Sequence, residues 1–165
     1  METRHGSPGV TLIELCFALA VVGILAGLAV PGMRTALRNA AIRSATFELL
    51  AGLQQARARA IVESRPAVLC LSDATGRCLG GGPATAWNVF IEGREAAPLA
   101  GGPLPRGLEL HATRTRLTFS PDSLAASTGT LTICDRAGLA RPRSLVLSQT
   151  GRIRPADATA GACDP

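Results

Sequence analysis

At 165 residues the chain has room for one domain with a single core, seldom two. One Trp, four Phe and no Tyr exclude an aromatic-rich interior, so the core is built mainly from Leu, Val, Ile and Ala. The formal charge of +5 is carried by arginine alone; so modest an excess fits a nucleic acid or an anionic surface as partner but identifies neither.

The first informative segment is residues 10–30, an apolar run with one charge, Glu14. As a helix it spans about 30 Å, the thickness of a bilayer's hydrocarbon core. A secretory signal would need a short apolar core followed by a small-residue cleavage site. Arg4 fits that reading, but the run is too long and holds an acid at its start. A plain membrane anchor leaves the acid unexplained too, because a carboxylate in hydrocarbon is costly unless paired. The block Gly9-Val10-Thr11-Leu12-Ile13-Glu14-Leu15, followed by the apolar run and Pro31, resembles the prepilin signature of type IV pilins and type II secretion pseudopilins. The resemblance implies cleavage after Gly9 by a prepilin peptidase and N-methylation of Val10, which stands where Phe or Met is commoner. Residues 1–9 are then a leader, 10–31 the transmembrane part of a helix in the bacterial inner membrane, and 32–165 a periplasmic globular domain. The new amine at Val10 would be protonated near neutral pH, since such groups titrate at about 7.7–8.0. Glu14 can pair with that amine on a neighbouring subunit, so cleavage would license assembly. Gly23 and Gly27 give a spacing that permits close helix packing, and Pro31 is expected to kink the helix.

Residues 32–64 continue as helix. Ile42, Ala45, Leu49, Leu53, Ala56 and Ala60 recur at the helical period and mark one face for a sheet, and Pro66 ends the element. Six short segments then read as strands: 67–71, 87–92, 108–112, 116–119, 130–134 and 144–148. Gly/Pro clusters such as Gly101-Gly102-Pro103 divide them, and residues 156–165 read as a loop-like tail. One long helix followed by strands is an α+β pattern. With the N-terminal resemblance it implies a type IV pilin-like fold, the long hydrophobic helix packed on antiparallel sheet.

Of five cysteines, Cys16 falls in the apolar run as a buried apolar residue. Cys70, Cys78, Cys134 and Cys163 belong to the part that would face an oxidising compartment. They allow three pairings. The favoured one closes a short loop with Cys70–Cys78 and ties the tail to a strand with Cys134–Cys163; free thiols are the alternative. No CxxC is present and His111 is the one histidine beyond the leader, which argues against zinc. No cofactor or catalytic constellation is expected, and Asp122-Ser123 sits in turn-like composition.

Between Arg136 and Arg154 lie five arginines (136, 141, 143, 152, 154) and no acid. In extended chain Arg152 and Arg154 project together while Ile153 turns inward, and Gly151 leaves room for a ligand at the backbone. Guanidinium forks suit phosphate. The alternative is a solvated edge strand kept from aggregating by charge. The helix–strands layout, the Cys70…Cys78 pair, the strand ending at Cys134 and Thr150-Gly151-Arg152-Ile153-Arg154 resemble the FimT/GspH family of minor pilins and minor pseudopilins. In its FimT branch a late Gly-Arg-x-Arg motif is associated with DNA binding in natural transformation. The resemblance implies a minor pilin that contacts the backbone of double-stranded DNA through Gly151, Arg152 and Arg154, with Arg136, Arg141 and Arg143. Its partners are other pilins, the prepilin peptidase and the inner membrane. The alternative is a structural pseudopilin of a type II secretion system that binds no DNA.

Overall fold

The computed structural model describes Gly9 and residues 11–122, 126–159 and 161–163. Residues 1–8, Val10 and Ser123 lie outside the described residues. Helix α1 runs from Leu12 to Glu63 and passes through Pro31 as one element. Thr11 caps its start, where the Glu14 N–H donates to Thr11 Oγ1 at 3.4 Å. Its end is set by Ser64 in the left-handed region (φ 51°), with Arg65 N–H returning to Ala60 O at 3.2 Å; Pro66 follows. α1 is long and apolar enough in its first part to cross a membrane, and large apolar side chains there, among them Leu12, Phe17, Ile24 and Val30, are exposed.

Eight strands follow: β1 (Ala67–Ser72), β2 (Ala86–Ile91), β3 (Ala100–Pro103), β4 (Leu108–Ala112), β5 (Arg116–Phe119), β6 (Gly129–Asp135), β7 (Arg143–Leu147) and β8 (Ile153–Asp157). They form two antiparallel four-stranded sheets, ordered β3-β2-β1-β5 and β4-β6-β7-β8. Ile42, Ala45, Leu49, Leu53, Ala56 and Ala60 are each 1% exposed or less and pack against Leu69, Val89, Leu110, Leu117, Ile133 and Leu145 in one core. Both sheets thus share one helical stripe, which is why the stripe is apolar over its whole length after residue 41.

Two strands depart from the sequence reading. β3 contains Gly101 and Gly102, which look like strand breakers. Both take positive φ, and a Cβ on Gly101 would sit 2.5 Å from Trp87 O, so only glycine lets this strand lie against β2. β8 carries Pro155 in mid-strand and continues to Asp157, into what reads as a tail. Both strands are sheet edges, where a missing N–H costs little.

Disulfides join Cys70 to Cys78 and Cys134 to Cys163, with Cα–Cα separations of 5.7 and 5.8 Å. Cys16 is exposed on the apolar part of α1 in the isolated chain. Within the Cys70–Cys78 loop, Asp73 accepts from Thr75 Oγ1 at 2.6 Å and from the Thr75 and Arg77 N–H groups. The Thr75 hydroxyl first, then the Arg77 amide, hold its carboxyl below the ordinary range. The longer loop gains more from cross-linking. Replacing Cys134 and Cys163 by serine should cost about 3–4 kcal/mol, and replacing Cys70 and Cys78 about 2–3 kcal/mol, by loop-closure entropy. Urea unfolding of the two double variants under oxidising conditions reads the order; the reverse order would show that loop length does not govern these bridges.

Candidate functional sites

The six residues expected to grip phosphate do not form one patch. β6 ends and β7 begins beside residues 38–39 of α1, whereas the β7–β8 turn lies beside Arg57. Along the helix those places are roughly 28 Å apart. Arg136 and Arg141 belong to the first end and Gly151 and Arg152 to the second, while Arg143 and Arg154 stand on adjacent strands three residues apart in register, about 10 Å along them.

At the second end the turn is built by short polar side chains. Ser148 Oγ lies 3.0 Å from Thr150 Oγ1 and accepts from Arg152 N–H at 3.2 Å, and Gly151 N–H donates to Ser148 O at 2.9 Å. Gly151 has φ +71° and is buried. Its left-handed conformation gives it a turn-forming role, and with Arg57 and Arg152 it lines a shallow cleft against α1. Arg57 Nη1 donates to Gly151 O at 3.2 Å and holds the turn to α1. Ile153 packs against the core, so Arg152 and Arg154 flank an inward residue and are both exposed. Among the described residues neither guanidinium has an ion-pair partner. The motif opens β8 rather than following the last strand, and β8 is an edge, so the reading of charge as edge protection fits the same geometry.

At the first end Arg136 is tied to Glu109, Nε to Oε1 at 2.9 Å with a second contact through Nη2. The other oxygen of Glu109 lies 3.6 Å from His111 Nε2. Arg141 N–H donates to Asn39 Oδ1 at 3.2 Å, and its side chain is exposed without an ion-pair partner among the described residues, as is that of Arg143. No group of three His, Cys, Asp or Glu suited to a metal occurs among the described residues. Asp122 lies in a bend beside undescribed Ser123.

Sequence reasoning missed Arg57 and Arg38, which pin loops to the helix. A half-buried charge one turn beyond Leu53, at the edge of an apolar stripe, was the available signal for Arg57. Nothing local marks Arg38, whose partners Arg106 O (2.6 Å) and Asp135 (4.0 Å) are distant in sequence. At the N-terminus, Glu14 is exposed in the first turn of α1 and Gly9 is exposed.

Residues 45–151 match the family described as type II transport protein GspH. The crystal structure of the type IV minor pilin FimU of Pseudomonas aeruginosa is similar at 26% identity, over 70% of this chain and 87% of that one, with a TM-score of 0.53. The solution structure of E. coli GspH aligns at 19% identity over 78% of this chain and 94% of that one, TM-score 0.55. The minor pseudopilin EpsH of the Vibrio cholerae type 2 secretion system aligns at 13% identity over 72% and 97%, TM-score 0.51. The last two support the fold alone. No curated protein sequence matches the chain.

Proposed function

The chain belongs to the GspH family of minor pilins and pseudopilins, structural proteins rather than enzymes, and from that premise we propose that it is a minor pilin of a type IV pilus that binds duplex DNA through Arg152 and Arg154. On this reading a prepilin peptidase removes residues 1–9 after Gly9 and Val10 is N-methylated. Residues 10–31 sit in the inner membrane, and residues 32–165 face the periplasm until the subunit enters a filament. Glu14 pairs there with the Val10 amine of a neighbouring pilin.

The observation that carries the DNA reading is the pair of exposed arginines without ion-pair partners on a turn braced by Ser148 and Arg57, at the end of the domain far from the apolar run. A braced turn loses little freedom on binding, and two guanidiniums on one side can each take a phosphate. Arg136 and Arg141 lie at the other end and Arg143 partway between, so the grip is assigned to Arg152 and Arg154. The pseudopilin alternative is favoured by the family's description as a type II transport protein. Against it, FimU, similar at 26% identity, is a type IV minor pilin.

Full-length chain in neutral detergent should bind duplex DNA without sequence preference, with a Kd on the order of micromolar or weaker at physiological salt. Affinity should fall with salt by a log–log slope of about −0.9 per phosphate, and Arg152→Gln with Arg154→Gln should flatten the slope by about 2. Fluorescence anisotropy at several salt concentrations measures this, with circular dichroism as the folding control and Arg34→Gln as the comparison. Equal slopes for wild type and the double variant remove these arginines from the site. No binding at low salt leaves the secretion pseudopilin.

A further inference from the structure

The opposite end of the domain carries a second cationic surface. Residues 104–107 and 136–142 pack on α1 just beyond the apolar run, and Arg34, Leu37, Arg38, Pro105, Arg106 and Leu139 line a shallow cleft between them. Arg38 builds the cleft: its Nη1 donates to Arg106 O at 2.6 Å and lies 4.0 Å from Asp135. The acids here are largely consumed. The Asp135 side chain is fully buried and accepts from Leu139 N–H at 2.9 Å, while Glu109 is engaged by Arg136. Asp157, across from Arg143 in the β7–β8 register, is the remaining carboxylate at this end among the described residues. Arg34, Arg106, Arg141 and Arg143 have no ion-pair partner among the described residues, and Leu37 and Leu139 are 60% and 47% exposed beside them.

We infer that this end is a docking surface for the phosphate headgroups of an anionic bilayer, gripped by Arg34, Arg106 and Arg141 with Leu37 and Leu139 entering the interface. The inference rests on the reading that residues 10–31 span the membrane. Given that span, the position is fixed by chain continuity. Arg34 emerges about 6 Å beyond Val30 by helical rise. A leaflet's headgroup layer is about 5–7 Å deep. The Arg34 Cα therefore lies at phosphate depth, and the 104–107 loop, held at Arg38 about 12 Å beyond Val30, stands about 6 Å above it, a distance that an extended arginine side chain can reach across. Exposed leucines among arginines are the composition that an interface accepts on both counts, apolar groups below and charges at the phosphates. A partner protein would need acids to match; the bilayer supplies the anions and is already adjacent. Docking would fix this end of the domain against the membrane before the subunit is lifted into a filament, and leave the Arg152–Arg154 turn facing away.

The test uses the mature full chain in nanodiscs of phosphatidylcholine, with and without phosphatidylglycerol. With Cys16→Ser as background, a fluorophore at Ala137→Cys, exposed on the 136–142 loop, is quenched by headgroup-nitroxide lipid. A second label, at Leu19→Cys, is quenched by acyl-brominated lipid and reports the span. We expect the label at 137 to be quenched more in anionic discs and less as salt is raised. Arg34→Gln and Arg106→Gln should each lower the docked-to-undocked ratio about fivefold. Quenching at 19 with lipid-independent quenching at 137, or no response to either substitution, overturns docking alone. An unquenched label at 19 overturns the membrane span and docking with it. If the two substitutions weaken duplex DNA binding and leave quenching unchanged, the surface belongs to nucleic acid and the inference fails.

Discussion

Replacing Trp87 by alanine should lower the unfolding free energy of the domain by about 3–5 kcal/mol, the usual cost of emptying an aromatic site in a core. Trp87 is 5% exposed, lies on β2, and belongs to the cluster that joins α1 to the sheets. Its ring rests on Gly52 of α1: a Cβ at position 52 would be 2.4 and 2.5 Å from two ring carbons. The indole therefore occupies the place where every other residue of that helical face carries a side chain. Gly52→Ala sets two effects against each other. Helix propensity favours alanine by about 1 kcal/mol, whereas overpacking costs about 1–3 kcal/mol. The ring is rigid and walled in, so the clash should win. The pair is separable by a double-mutant cycle: Gly52→Ala should destabilise wild type but stabilise the Trp87→Leu background, where the space is free. Urea denaturation of the four proteins measures it. Additive costs would mean that the ring and the glycine are not in register.

Glu14→Val should leave membrane insertion intact, since it removes the one charge from the apolar run, and sharply reduce recovery in filaments. The argument concerns what the carboxylate leaves behind. If the Val10 amine of a neighbour is buried against Glu14 in the assembled state, deleting one partner strands a charge, at a cost of about 3–5 kcal/mol per contact. That is roughly two to four orders of magnitude in the subunit's partition between membrane and filament. The exposure of Glu14 in the isolated chain suits a group awaiting an intermolecular partner, and Thr11, which caps the helix, fixes the turn that presents it. Immunoblots of sheared filaments and of membranes give the ratio. Unchanged ratios for Glu14→Val would remove the pairing argument.

Much of the fold was legible because its signals are local. The stripe from Ile42 to Ala60 has a period, and residues at that period are the buried ones. The six strands read from β-branched and apolar runs are present with ends shifted by a residue or so. The two strands missed are edges whose sequences, Ala-Gly-Gly-Pro and Ile-Arg-Pro-Ala-Asp, violate strand composition and are held by a neighbour instead. The candidate site was legible only in part. That Arg152 and Arg154 point outward follows from Ile153. That Arg136 and Arg141 stand at the other end does not follow from their sequence proximity, because β7 intervenes between them and the turn at Gly151. The contributions of Arg57 and Arg38 depend on backbone carbonyls far away in sequence, which no local pattern reports.

The unbroken α1 also has a mechanical meaning. A subunit drawn out of a bilayer by its helix receives the load along the rod's own axis. That load passes into the globular part through the stripe from Ile42 to Ala60, which lies parallel to the pull and touches both sheets. Contacts loaded in this direction are sheared together rather than peeled one by one, so the force at which they yield is shared over the whole stripe. The tethers at Arg38 and Arg57 sit near its two ends and keep the loops from being dragged along behind.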